Sequence, residues 1–247
     1  MLLNKIAVHP SGHGHLTVST RCGRIFEEGC LVDTHRAVYS IAYSPSGELA
    51  IGTDKGVCIS GHMIPLLDSP VYHVMWLDRE TLASATSTFV RIWNREGERL
   101  FTLGTNGFRL AYHAPSERLA VIDEEGALRL FDHCGNFLSL PWAEEQFGAV
   151  GFYSSGTLVA APSMGRKLYS CTEDGNTHTK EVDYRVTAIA THTDVGTAFG
   201  TSEGEIVLPS GRVIPAHTKA VTDLQFSPSG TEIYSVGGGV ALRVKIS

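Results

Sequence analysis

The feature that most constrains this chain is a period. Seven short apolar segments share one register, anchored at Leu16, Leu49, Leu82, Leu119, Leu158, Thr197 and Ile233. They read LTVSTRCG, LAIGTDKG, LASATSTF, LAVIDEEG, LVAAPSMG, TAFGTSEG and IYSVGGGV, and successive anchors lie 33 to 39 residues apart. Seven positions after the anchor, five copies place a glycine: Gly23, Gly56, Gly126, Gly165 and Gly204. A tight turn that reaches positive φ between two strands favours glycine, because a Cβ there clashes. Each segment therefore reads as strand, tight turn, strand. A second glycine follows the next apolar run in six copies (Gly29, Gly61, Gly97, Gly135, Gly175 and Gly211) and marks another hairpin.

Upstream of the anchor each copy has one more segment, and five of these end on an aromatic: Tyr43, Trp76, Tyr112, Phe152 and Phe226. Two residues earlier stand Ile41, Val74, Leu110, Val150 and Leu224. This spacing of two is a strand signal. Three copies then turn through Pro-Ser-Gly, at Pro10–Gly12, Pro45–Gly47 and Pro228–Gly230, where proline presets φ and glycine relaxes it. Each unit thus predicts three strands and usually a fourth, as in Arg99–Leu103, Phe137–Leu140 and Arg212–Pro215. Four short antiparallel strands repeated seven times indicate an all-β fold, a seven-bladed β-propeller. A sandwich would not explain the register. The expected blades are 1–35, 36–68, 69–104, 105–142, 143–182, 183–216 and 217–247, in one domain.

The residues resemble the WD-repeat family. The copy LASATSTFVRIWNREGERLFTL, Leu82 to Leu103, places Trp93 and Asn94 where that family has its Trp-Asp pair, and LRLFD places Phe131 and Asp132 there. AHTKAVTDLQFSPSG, Ala216 to Gly230, resembles the His-containing start of a WD blade, and THRAVYSIAYSPSG, Thr34 to Gly47, is a weaker relative. The resemblance implies a buried His, Ser/Thr, Asp and Trp network in each blade, yet no copy here has all four. It also implies a protein-interaction role.

The last copy reaches Ser247 where its second glycine turn should begin, so its outer strand is expected to be missing. Met1 to Leu3 are too few to supply one. An unpaired sheet edge is a template for another chain. A partner segment, or further sequence in a longer parent protein, is expected to pair beside Ala241, Leu242, Arg243, Val244, Lys245 and Ile246. The alternative is a three-stranded blade closed by packing alone.

Composition narrows the function. A formal net charge of −6 with no Lys/Arg stripe argues against nucleic acid or an anionic membrane as general partner. MLLNKIAVHP is too short and polar for a secretory signal, and no apolar run reaches the length of a membrane span. The odd set Cys22, Cys30, Cys58, Cys134 and Cys171 has no C-x-x-C pair and reads as reduced, mostly packing thiols. The expected location is cytoplasmic or nuclear.

His9, His13 and His15 are weak metal candidates, but the register places this tract in a Pro-Ser-Gly hairpin, and a hydrated turn is the simpler reading. No G-x-S-x-G, H-E-x-x-H or P-loop motif is present, and no cofactor is expected. Tyr39, Tyr72 and Phe108 occupy matching positions in successive copies, followed by Ser40, His73 and Arg109. Aromatics and arginine are enriched at binding hot spots. With Arg36, Arg185 and Lys219, candidates for an acidic or phosphorylated peptide, they are the expected partner-binding residues; packing between blades is the competing role for the aromatics. The expectation is a non-enzymatic protein-interaction scaffold in a larger complex. The alternative is a propeller enzyme with a metal-dependent hydrolase-type site in the channel mouth.

Overall fold

The computed structural model describes residues 3–11, 16–20, 22–27, 30–34, 37–66 and 69–246. Their strands, numbered in chain order, form seven antiparallel sheets. Blade I is β1–β4 (Leu3–Val8, Leu16–Thr20, Arg24–Glu27, Cys30–Thr34) and blade II is β5–β8 (Val38–Tyr43, Leu49–Thr53, Gly56–Ile59, His62–Pro65). Blade III is β9–β12 (Val71–Trp76, Thr81–Thr86, Val90–Asn94, Arg99–Leu103) and blade IV is β13–β16 (Arg109–His113, Arg118–Ile122, Leu128–Phe131, Phe137–Leu138). Blade V is β17–β20 (Phe147–Phe152, Leu158–Pro162, Lys167–Cys171, Thr177–Glu181) and blade VI is β21–β24 (Val186–His192, Gly196–Thr201, Glu205–Val207, Val213–Pro215). Blade VII has three strands, β25–β27 (Val221–Phe226, Glu232–Gly237, Val240–Lys245). The one helical piece among the described residues is a 3-10 turn, Ala114–Ser116.

Each first strand lies against the first strand of the next blade, and β25 lies against β1, so the seven sheets form a closed ring. This is a seven-bladed β-propeller whose last blade has three strands among the described residues. The core is divided into seven apolar layers, one between each pair of neighbouring blades. A blade is covered on both faces, so its second strand need not alternate. Every residue of β14, β18 and β26 is buried, which explains their near-continuous apolar and small sequences.

The two families of turns share a device. The residue ending the second strand caps the following turn: Thr53 Oγ1 accepts from the Lys55 and Gly56 amides at 3.1 Å, and Thr86 Oγ1 accepts from Phe89 at 3.0 Å. Asp123 Oδ1 does the same with Ala127 at 2.8 Å. At the next turn Asn94 Oδ1 accepts from Glu98 at 2.7 Å and Asp132 Oδ1 from Asn136 at 2.8 Å. Asn94 and Asp132, at the Asp position of the Trp-Asp pair, are thus turn caps. The repeat glycines that the structure describes all have positive φ, from 68° to 147°. Gly12 and Gly29 lie outside the described residues.

Three observations refine the sequence reading. The fourth strands are shorter than expected at Phe137–Leu138 and Val213–Pro215, because an outermost strand has a neighbour on one side only. Of the five cysteines Cys58 and Cys171 are buried, whereas Cys22, Cys30 and Cys134 are exposed, so three thiols do not pack in the core. Among the described residues no helix is long and apolar enough to cross a membrane.

Candidate functional site

The first strands surround a channel of about 990 Å³. Their second residue is where the ladder breaks. The register with the second strand skips one residue between Leu3 and Lys5, Val38 and Ser40, Phe147 and Ala149, Val186 and Ala188, and Val221 and Asp223. In blade III, Ala85 opposes His73 but Thr86 opposes Val71, which leaves Tyr72 unpaired. In blade IV the Phe108 amide bonds to the Ile122 carbonyl at 2.7 Å, while Arg109 also opposes Ile122. A bulge re-aims side chains, and here it brings Tyr39, Tyr72 and Phe108 to the channel mouth. Their rings touch in series, Tyr39 to Tyr72 at 5.6 Å and Tyr72 to Phe108 at 5.4 Å between centroids. Phe108 is 45% exposed, so this contact between blades does not bury the array.

The residue after this break forms a ring one level deeper, third in six first strands and first in β13: Lys5, Ser40, His73, Arg109, Ala149, Ala188 and Asp223. Three members stitch blades together by accepting a hydrogen bond from the amide that follows the ring residue of the next blade. Ser40 Oγ accepts from Val74 at 3.1 Å, His73 Nδ1 from Leu110 at 2.7 Å and Asp223 Oδ2 from Ile6 at 3.1 Å. Gln225 adds a second pair across the closure, accepting from Val8 at 3.1 Å and donating to the Ile6 carbonyl at 3.2 Å. These bonds and the Ile6, Tyr234 and Val236 cluster close the ring. Among the described residues no strand pairs with the outer edge of β27.

The ring is electrostatically uneven. Lys5 Nζ lies 3.9 Å from Asp223 Oδ2. Burial lowers the Lys5 pKa; Asp223 opposes this, and Arg109 adds to it. Burial also lowers that of Arg109, against the pull of Asp223. His73 is pushed down to about 3, by burial first and then by Lys5 and Arg109. Its ring is therefore neutral, and because Nδ1 accepts the Leu110 amide, the proton resides on Nε2.

The other expected residues lie elsewhere. Arg185 and Lys219 precede β21 and β25 on the face where the first strands begin, outside the channel. Arg185 Nη1 reaches Met164 Sδ at 3.4 Å, and Lys219 is exposed. Arg36, His13 and His15 lie outside the described residues. His9 sits in its turn with Nδ1 2.9 Å from Ser11 Oγ and its ring against Tyr43. Among the described residues no group of three His, Cys, Asp or Glu side chains is placed to hold a metal. Lys5 and Gln225 were not singled out from the sequence. The register of Lys5 with His73 and Arg109 is a sequence signal for it, whereas Gln225 lies two residues past the ring position.

Two halves of a polar network occur in different blades. In blade III, Trp93 Nε1 donates to Ser84 Oγ at 2.8 Å; in blade VII, His217 Nε2 lies 2.8 Å from Ser235 Oγ. Residues 209–240, which include the second pair, match the family described as WD domain, G-beta repeat. No curated protein matches the chain.

Proposed function

We propose that this chain, a seven-bladed propeller of the WD-repeat family, is a non-enzymatic platform that binds proteins or peptides as a subunit of an intracellular assembly. The observation that carries this reading is the aromatic array Tyr39–Tyr72–Phe108, which stays solvent-accessible while crossing two blade boundaries. Tyr39 and Tyr72 stand on first strands and Phe108 on the residue entering β13, so little side-chain order is lost when a partner covers them. Phe89 and Met164, 39% and 74% exposed, lie on turns of blades III and V at the same face. Arg185 and Lys219 provide a cationic margin suited to acidic groups.

The outer edge of β27, from Ala241 to Ile246, is the second contact. Among the described residues no strand pairs beyond it, which suits strand addition, and Arg243 and Lys245 favour a strand with acidic residues. Five cysteines outside any disulfide suit a reducing compartment, cytoplasm or nucleus.

The test is recovery of partners from the native cell with the wild type and with Tyr72→Ser/Phe108→Ser. We expect at least one partner retained by the wild type to be lost with the double variant, whose melting should remain that of the wild type. Equal recovery would overturn the assignment of this surface. For the edge, amide exchange from Ala241 to Ile246 should slow on partner binding; unchanged exchange removes strand addition from the reading.

A further inference from the structure

We propose that the channel holds an oxyanion site formed by the Lys5 ammonium, the His73 Nε2–H and the Arg109 guanidinium, which takes a carboxylate or phosphate group. The proposal concerns the ring below the aromatic mouth and stands independently of any protein partner.

The register supplies the first argument. In the ring after the strand break Ser40, His73 and Asp223 act as acceptors that tie one blade to the next. Lys5 and Arg109 occupy the same position but have no acceptor atom. They cannot make that bond, so stitching of the ring does not account for them. Both line the channel instead.

Pairing supplies the second. Among the described residues the Arg109 side chain makes no hydrogen bond and no close ion pair, Asp223 acting on it only through its field, although it is half-buried in the channel wall. Asp223, the acidic group of the ring, already accepts from the Ile6 amide through Oδ2 and the Leu224 amide through Oδ1, with Lys5 at 3.9 Å. Two cations and one carboxylate leave an excess positive charge. A desolvated cation without a partner is costly, and an oxyanion entering from the mouth relieves it.

The donors also differ usefully in kind. Guanidinium offers a planar fork, ammonium a compact charge and the imidazole one directed N–H, a combination that matches the oxygens of carboxylate or phosphate. Ala149 and Ala188 complete the ring on the opposite side, and their small side chains leave the space that a ligand needs. The same excess charge works against a cationic ligand under the aromatic rings.

The test is calorimetric titration of the purified chain, in low-chloride buffer, with inorganic phosphate, acetate and doubly capped phosphoserine. We expect saturable one-to-one binding of at least one probe, weakened about tenfold or more by Arg109→Met and by Lys5→Met. Arg95→Met, on the outer surface, should leave it unchanged. Preference for capped phosphoserine assigns a protein-borne group and preference for inorganic phosphate or acetate a free ion; either supports the site. In the wild type the His73 ring resonance must also shift along the titration, which keeps the test independent of whether a variant folds. Absence of saturable binding, binding unaffected by both channel variants, or a stationary His73 resonance would overturn the proposal.

Discussion

The Asp223 carboxylate accepts a hydrogen bond from the Ile6 amide at 3.1 Å, across 217 positions of sequence. This bond joins the seventh blade to the first. The ring is closed by side chains of a first strand bonding to the backbone of its neighbour, together with an apolar layer centred on Ile6, Tyr234 and Val236. Asp223→Ala leaves that amide without its acceptor and removes the counter-charge of Lys5. It is expected to cost about 1–3 kcal/mol, with Asp223→Asn costing less because an acceptor oxygen remains. Urea midpoints check this; equal stability of Asp223→Ala and the wild type would refute the closure described.

His73 makes stability pH-dependent. Its folded pKa, about 3, is below the unfolded value of about 6.5. Between those values the unfolded chain holds the extra proton, so stability rises with pH and is lost on acidification from about 6.5 towards 3. Burial first, and then Lys5 and Arg109, hold the imidazole neutral. The His217 pKa is lowered too, by burial, and acts in the same direction. The slope from His73 approaches about 1.4 kcal/mol per pH unit. Urea unfolding at pH 7 and pH 5, above the range where ordinary carboxylates titrate, should show the loss, and His73→Gln should reduce it.

Two glycines with the same left-handed backbone should respond differently to alanine. At Gly211, with φ 84°, an added Cβ meets nothing within 4 Å, whereas at Gly204, with φ 89°, it lies 2.1 Å from the His217 carbonyl oxygen. Gly211→Ala should cost about 1 kcal/mol for the backbone alone. Gly204→Ala must also displace the segment leading into β25 and should cost at least about 3 kcal/mol. Similar melting shifts for the two would show that blade VII yields easily at this approach.

The Trp93–Ser84 bond is fully buried. Ser84→Ala strands the indole N–H and should cost about 1–3 kcal/mol. Adding Trp93→Phe removes the stranded donor, so the double variant should lose less than the sum of the single ones. A coupling of about 1 kcal/mol in this cycle is expected, and strict additivity would indicate that the bond contributes nothing.

Arg243 holds the edge strand down, through hydrogen bonds of 2.8 and 2.9 Å to the Glu232 carboxylate. Arg243→Met should speed amide exchange from Ala241 to Val244 while leaving β14 protected. Unchanged exchange in β27 would mean that packing alone retains it.

The propeller was legible because its determinants are local and repeated. A glycine three residues after a polar cap, as in TDKG at Thr53–Gly56 or DEEG at Asp123–Gly126, specifies a turn through backbone sterics that no neighbour needs to supply. Seven units in one register, five of them with that glycine, determine the fold class. What only the tertiary structure decided is which side chains meet in the channel. Tyr39, Tyr72 and Phe108 reach the mouth because a bulge breaks the alternation there, and Lys5 joins Arg109 because the ring brings the first blade beside the seventh and back round to the fourth. Those contacts depend on long-range closure and local register shifts, neither of which the periodic pattern of apolar residues encodes.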